Sequence, residues 1–170
     1  GGVTNVTITA TNSYGSSSAT LTSKVVDASG FNHSSAISFP GYAGSETLTD
    51  FPVLLVLDGS IPHFSLNGFA SPQADDLRIY DANAEEINYE IDSIDEQNGS
   101  IRIWARIPSL TAATSITAYW GKDSLVGQPP ASAYDGSVWT DGYQAVWHLG
   151  QPNLAGGFTD SSAAHNHAND

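Results

Sequence analysis

Runs of Val, Ile, Thr and aromatic residues, each broken within a few positions by Gly, Pro, Asn or Asp, recur along the whole chain. They are too short and too strictly alternating for amphipathic helices, and they read as half-buried strands joined by turns. Val3-Thr-Asn-Val-Thr-Ile-Thr-Ala-Thr11 sets the pattern: Val6, Ile8 and Ala10 share one face, and Thr7, Thr9 and Thr11 share the other. Asn12-Ser-Tyr-Gly15 then supplies a turn, and Ser18-Ala-Thr-Leu-Thr22 returns as a second strand. Two strands alone make no stable domain, so this hairpin needs a neighbour.

Further strands are expected at Ala36 to Phe39, Val53 to Leu57, Leu77 to Tyr80, Ile87 to Ile91, Ser100 to Ile107 and Ser115 to Trp120. That spacing predicts an all-β fold, an antiparallel β-sandwich of jelly-roll or immunoglobulin-like type. Val53 to Leu57 carries no polar residue, which predicts a central strand covered on both sides. Side-chain parity constrains the hairpin around Glu96-Gln-Asn-Gly99. A two-residue Asn98-Gly99 turn would mix core and solvent faces, whereas a three-residue loop with Gly99 at a bulge sets Tyr89 and Ile91 inward with Ile103 and Ile107. Glu90 and Asp92 then stand opposite Arg106 and Trp104.

The chain has 170 residues, 40% of them hydrophobic, enough for one domain with a core and pieces of its neighbours. Eighteen acidic against five basic residues give a formal charge of −13, which argues against nucleic acid or an anionic membrane surface as partner. With no Cys, disulfides, thiolate nucleophiles and Cys-ligated zinc drop out. A disulfide-free extracellular chain points to a bacterium. No apolar stretch reaches the length of a membrane helix, so membrane insertion is not expected. The sequence opens without Met or a signal peptide and reads as an interior segment of a longer protein.

Thr49-Asp-Phe-Pro-Val-Leu-Leu-Val56, Asp75-Asp-Leu-Arg-Ile-Tyr-Asp81, Asn88-Tyr-Glu-Ile91, Ile103-Trp-Ala-Arg-Ile-Pro108 and Ala118-Tyr-Trp-Gly121 follow one another in an order that resembles the bacterial domain of unknown function 2341, over roughly residues 30–125. The resemblance implies a β-rich domain of large exported proteins, often standing before a concanavalin-like, laminin-G-type domain, and it carries no agreed activity. Residues 1–24 resemble the closing hairpin of a bacterial immunoglobulin-like repeat. Tyr143-Gln-Ala-Val-Trp-His-Leu-Gly150 and Asp160-Ser-Ser-Ala-Ala-His-Asn-His-Ala-Asn-Asp170 resemble the opening of a concanavalin-like domain. The expected organisation is therefore a hairpin over 1–24, a β-sandwich over 25–135, and a linker with the first strand of a further domain over 136–170.

One outward strand face carries the most chemistry. Ile101, Ile103, Ala105 and Ile107 point inward, leaving Arg102, Trp104 and Arg106 outward, and the same parity turns Arg78 and Tyr80 outward. Trp120 shares the parity of Ile116 and Ala118 and belongs in the core, which leaves Tyr119 outward. An aromatic platform flanked by guanidinium groups suits a glycan: the ring meets the apolar face of the sugar, and Arg pairs with hydroxyls, carboxylates or sulfates. The competing account gives Glu90 to Arg106, Asp92 or Asp76 to another Arg, and covers Trp104 with a loop or neighbouring domain.

Asp81-Ala-Asn-Ala-Glu85 sets oxygens at alternate positions as a Ca²⁺ loop does. It lacks the glycine and distal Glu of an EF-hand, and a hairpin turn explains it with less. The histidines at 33, 63, 148, 165 and 167 show no metalloprotease spacing and are expected in loops. No nucleophile elbow, phosphate loop or dinucleotide fingerprint appears. No cofactor and no catalytic residue is expected. The reading is non-catalytic recognition of polysaccharide, or adhesion, by an extracellular or cell-surface module of a multidomain protein that also contacts its neighbouring domains. Its rival is a structural spacer in an adhesin or filament.

Overall fold

A computed structural model describes residues 2–150 and 157–168. Among them lie eight strands: β1 (Gly2–Asn12), β2 (Gly15–Val25), β3 (His33–Ser38), β4 (Leu48–Leu57), β5 (Arg78–Tyr80), β6 (Tyr89–Asp95), β7 (Ser100–Leu110) and β8 (Ser115–Trp120). Every pairing between them is antiparallel. β1 and β2 form a separate ribbon, β3-β8-β5 one sheet, and β4-β7-β6 another. The two three-stranded sheets make the sandwich.

Its core follows from alternation. Ile101, Ile103, Ala105 and Ile107 of β7 meet Ile79 of β5 and Ile116, Ala118 and Trp120 of β8 in one buried cluster. Each large aliphatic side chain so buried contributes roughly 1.5–3 kcal/mol. A polar tie crosses the core as well, where the Tyr89 hydroxyl of β6 donates to the carbonyl of Leu77, just before β5 (2.7 Å). At the end of β8, the fully buried Asp76 carboxylate accepts the backbone N–H groups of Ala70 (3.1 Å), Gly121 (2.5 Å) and Lys122 (3.1 Å). Gly121 sits at φ +81°, where a side chain would be strained and would press on the Gly68 carbonyl.

Two expectations need correction. β4 is an edge strand, not a central one, and its outward Leu54 and Val56 are 42% and 44% exposed. Pro52 within it cannot donate a ladder hydrogen bond, which suits an edge. The β6–β7 hairpin also differs from the expected register. Asp95 pairs with Ser100 across a four-residue loop, and the extra residue lies at Asp92, between the pairs Ile91–Ile103 and Ser93–Arg102. Asp95 fixes the loop by accepting the Asn98 N–H (3.0 Å) and side-chain amide (2.7 Å). The bulge lets both Ile91 and Ile94, of opposite parity, pack on the core. Glu90 therefore stands opposite Trp104, not Arg106.

In the β1–β2 ribbon every residue is exposed. Val6, Ile8, Ala10, Ala19 and Leu21 share one face, and the other is a ladder of hydroxyls that includes Thr9 bonded to Ser18 (2.6 Å). An ion pair from Lys24 to Glu85 (2.5 Å) links the ribbon to the sandwich. No strand forms at Val146–Leu149, where a first strand of a further domain was expected. That stretch is instead held by side chains, Val146 N–H by Asp160 (2.6 Å) and the Trp147 indole N–H by the Asn166 carbonyl (3.1 Å). Asn169 and Asp170, which close the expected loop motif, lie outside the described residues.

Candidate functional site

The sandwich separates the candidate ligand-binding residues. Arg102, Trp104 and Arg106 lie on β7, whereas Arg78, Tyr80 and Tyr119 lie on β5 and β8 of the other sheet. Because the inward residues of both sheets fill one core, their outward faces point to opposite sides of the molecule. The single surface that parity suggested does not exist.

On the β5–β8 side, Arg78 is only 9% exposed. Its Nη1 donates to the carbonyls of Asp75 (2.8 Å) and Leu77 (2.6 Å), its Nη2 to that of Gln128 (2.6 Å), and Glu86 lies 3.5 Å from its Nε. A guanidinium so engaged stitches loops together, with most of its donors turned into the fold. Tyr80 and Tyr119 pack edge to face (5.9 Å between ring centroids), and Phe31 tilts against Tyr119 (5.6 Å). Burial and the nearby Glu86 carboxylate raise the Tyr80 phenol above its ordinary pKa.

On the β6–β7 side, the outward face is covered by residues 138–148. Trp139 lies against Trp104 (5.2 Å), Tyr143 against Trp139 (5.4 Å), and the His148 ring stacks on Trp104 (6.2 Å, 23° between planes). Arg106 is engaged by Thr140 (3.0 Å) and sits 3.8 Å from Asp50. Of the three outward residues on β7, Arg102 alone is exposed.

His148 is the residue that sequence reasoning passed over. Its Nε2 meets Glu90 of β6 in a short contact, and its Nδ1 lies 3.1 Å from Asp92. The bulge at Asp92 places both carboxylates to flank one ring. Carboxylates accept and do not donate, so Nε2 carries the proton toward Glu90, and a second proton on Nδ1, which makes the ring an imidazolium, turns the contact with Asp92 into an ion pair. The hydrogen bond to Glu90 and the two negative charges raise the His148 pKa against the opposing effect of burial. The available signal was the pair Glu90 and Asp92 on an outward face with too few arginines to neutralise it.

The remaining histidines divide differently from the expectation of loops. His33 lies in β3 and stacks on Trp120 (5.5 Å, 17°), while His63, His165 and His167 lie outside strands. The Asp81 carboxylate is turned into its own loop, accepting the N–H of Asn83 and of Glu85 (both 2.8 Å), as a turn requires. Among the described residues no three His, Asp or Glu side chains are grouped to hold a metal, and no helix is long and apolar enough to cross a membrane. A cleft of about 800 Å³ opens between residues 59–72 and the β6–β7 loop, with Leu66 and Phe69 on its wall and Ser65, Asn67, Glu96 and Asn98 among its polar lining.

These features define a small antiparallel β-sandwich module with one outer face closed by its own chain. Residues 73–137, from just before β5 to the start of the covering segment, match the family described as Domain of unknown function (DUF2341). Four of the five sequence motifs fall inside that match, and Thr49 to Val56 falls outside it. No curated protein and no solved structure matches the chain.

Proposed function

We propose that this chain is a non-catalytic structural spacer in a multidomain extracellular protein, with a packed interior and neighbouring domains as its main contacts. The observation that carries the reading is the covering of Trp104 by Trp139 and His148, together with the engagement of Arg106 and Arg78 inside the fold. A glycan platform needs an open ring and free donors. The exported setting, the immunoglobulin-like neighbour before the sandwich and the concanavalin-like neighbour after it rest on sequence resemblance.

The carbohydrate reading retains one foothold, in the cleft beside Leu66 and Phe69. Its mixture of apolar wall with hydroxyl, amide and Glu96 carboxylate groups suits a neutral sugar better than an acidic one.

An affinity-gel screen on neutral and acidic polysaccharides, with Trp104→Ala and Asn67→Ala run beside the parent chain, tests both readings. The spacer reading expects no retardation in any lane. Trp104→Ala should cost about 3 kcal/mol of packing, a fall in Tm of roughly 6–12 °C. Retardation abolished by Trp104→Ala overturns the spacer reading; retardation abolished only by Asn67→Ala moves recognition to the cleft.

A further inference from the structure

We propose that residues 138–148 form a proton-controlled strap, which the charged His148 latches onto β6 and which loosens from the sheet when that proton is lost. Unlike the spacer reading, this concerns how the covered face can be uncovered, and it stands whether or not that face meets a ligand.

The geometry supplies the latch. Two carboxylates, from Glu90 and Asp92, face one imidazole, and neither can bond to it unless the facing nitrogen carries a proton. A neutral ring keeps one N–H and turns a lone pair toward the other carboxylate. With that N–H kept on Nε2 toward Glu90, the attraction between Nδ1 and Asp92 becomes a repulsion. Glu90, whose side chain is only 8% exposed, keeps its bond but loses the positive charge that compensated its own, a loss poorly relieved by solvent.

Val138 and Trp139 are buried and anchor the start of the strap by packing, but beyond them little besides the latch holds it to the sheet. The indole N–H groups of Trp104 and Trp139 are both buried with no acceptor among the described residues. An unsatisfied buried donor costs about 1–3 kcal/mol, which offsets part of the gain from stacking the rings. Closure of the strap beyond Trp139 therefore leans on the His148 contacts and on the bond from Arg106 to Thr140.

The other charged groups around the strap do not replace them. From β7 come Arg106, already beside Asp50 of β4, and the exposed Arg102. The strap itself adds Asp141 and the Tyr143 phenol. From residues 157–168, the Asp160 carboxylate is bonded to backbone amides and the His167 Nδ1 accepts the Asp160 N–H (3.1 Å). No Lys or Arg lies between residues 138 and 148 to take over when His148 is neutral.

The sign follows from linkage. A histidine whose folded pKa is raised contributes stability that is fully present below the unfolded value of about 6.5 and is lost as pH rises through the folded value. The strap is thus closed at mildly acidic pH and opens on the alkaline side. Each unit by which His148 is raised multiplies the opening constant about tenfold across the titration.

The test is hydrogen exchange of residues 138–148 in the whole chain at pH 6 and pH 9, corrected for intrinsic exchange chemistry, with an NMR titration of the His148 ring. Protection should fall across that interval, in step with a His148 midpoint above the ordinary value. In Glu90→Gln the midpoint should move down and the fall in protection should move with it. In His148→Gln the strap should be weakly protected at both pH values while β7 amides stay protected. Equal protection of the strap at pH 6 and pH 9, or a His148 midpoint at or below its ordinary value, overturns the proposal. Should His148→Gln fail to fold, Glu90→Gln and the parent chain still decide the matter.

Discussion

Replacing Asp76 by Ala removes the one acceptor for three backbone donors, the N–H groups of Ala70, Gly121 and Lys122. Leaving three donors unsatisfied would cost roughly 1–3 kcal/mol each. Against that stands the relief of no longer burying a carboxylate whose residue is 0% exposed. The lower half of the range is therefore expected, a loss of about 3–6 kcal/mol, a large share of the 5–15 kcal/mol typical of a whole domain. Asp76→Asn should fall between variant and parent, because its one remaining oxygen can keep Gly121 and Lys122 while its amide NH₂ faces the Ala70 donor, a loss of about 1–3 kcal/mol. Urea unfolding of the three chains, followed by near-UV signals from the core aromatics, measures both differences. If Asp76→Ala loses less than about 1 kcal/mol with an unchanged slope, the donors have found water or new partners. The view of Asp76 as the pin at the end of β8 would then be wrong.

Tyr89→Phe should cost only about 0.5–1.5 kcal/mol in the same assay, because the Leu77 carbonyl that loses the hydroxyl keeps its bond from Arg78. A loss above 3 kcal/mol would show that the cross-sheet tie carries more than one hydrogen bond. Asp160 should govern the acid response of residues 157–168: burial opposes its charge, but bonds from Val146, Ser162 and Asn166 prevail and hold its carboxyl at about 2. Since that pKa is depressed, the stabilisation is fully present above the ordinary carboxylate range and is lost as pH falls through about 2. Exchange protection of the Ser162 and Asn166 amides should drop between pH 5 and pH 2, and in Asp160→Asn it should already be low at pH 5; protection unchanged across that interval in the parent chain would remove Asp160 from this role.

Strand positions were legible because a two-residue period depends only on neighbours along the chain. Val6 and Ile8, Ile101 and Ile103, and Ile116 and Ala118 announce their strands without any tertiary information. Sheet membership was not, since parity says which way Arg78 and Arg106 point within a strand but not which sheet holds each strand. The six candidate residues were thus joined on paper and parted by the sandwich. Two errors had readable warnings. Pro52 signalled an edge in a run whose hydrophobicity suggested a centre, and the odd-odd-even order of Tyr89, Ile91 and Ile94 demanded a bulge before Ile94. The pair Glu90 and Asp92 warned of a missing cation but did not point to His148, because 58 residues separate it from Glu90 and only the fold brings them together.

The ribbon of β1 and β2 has a mechanical consequence. Gly2 and Val25 are paired at its open end, and the turn at Asn12 and Gly15 lies at the far end. Tension between Gly2 and the sandwich therefore loads the rungs one at a time, as in opening a zipper, rather than all together in shear. Among the described residues neither face is covered, so within this chain each rung yields at little more than the strength of its own hydrogen bonds. Complete opening would release roughly 80 Å of chain at low force while the sandwich beyond Val25 stays folded. Within the described residues, the ribbon is thus the extensible part, giving way before the sandwich does.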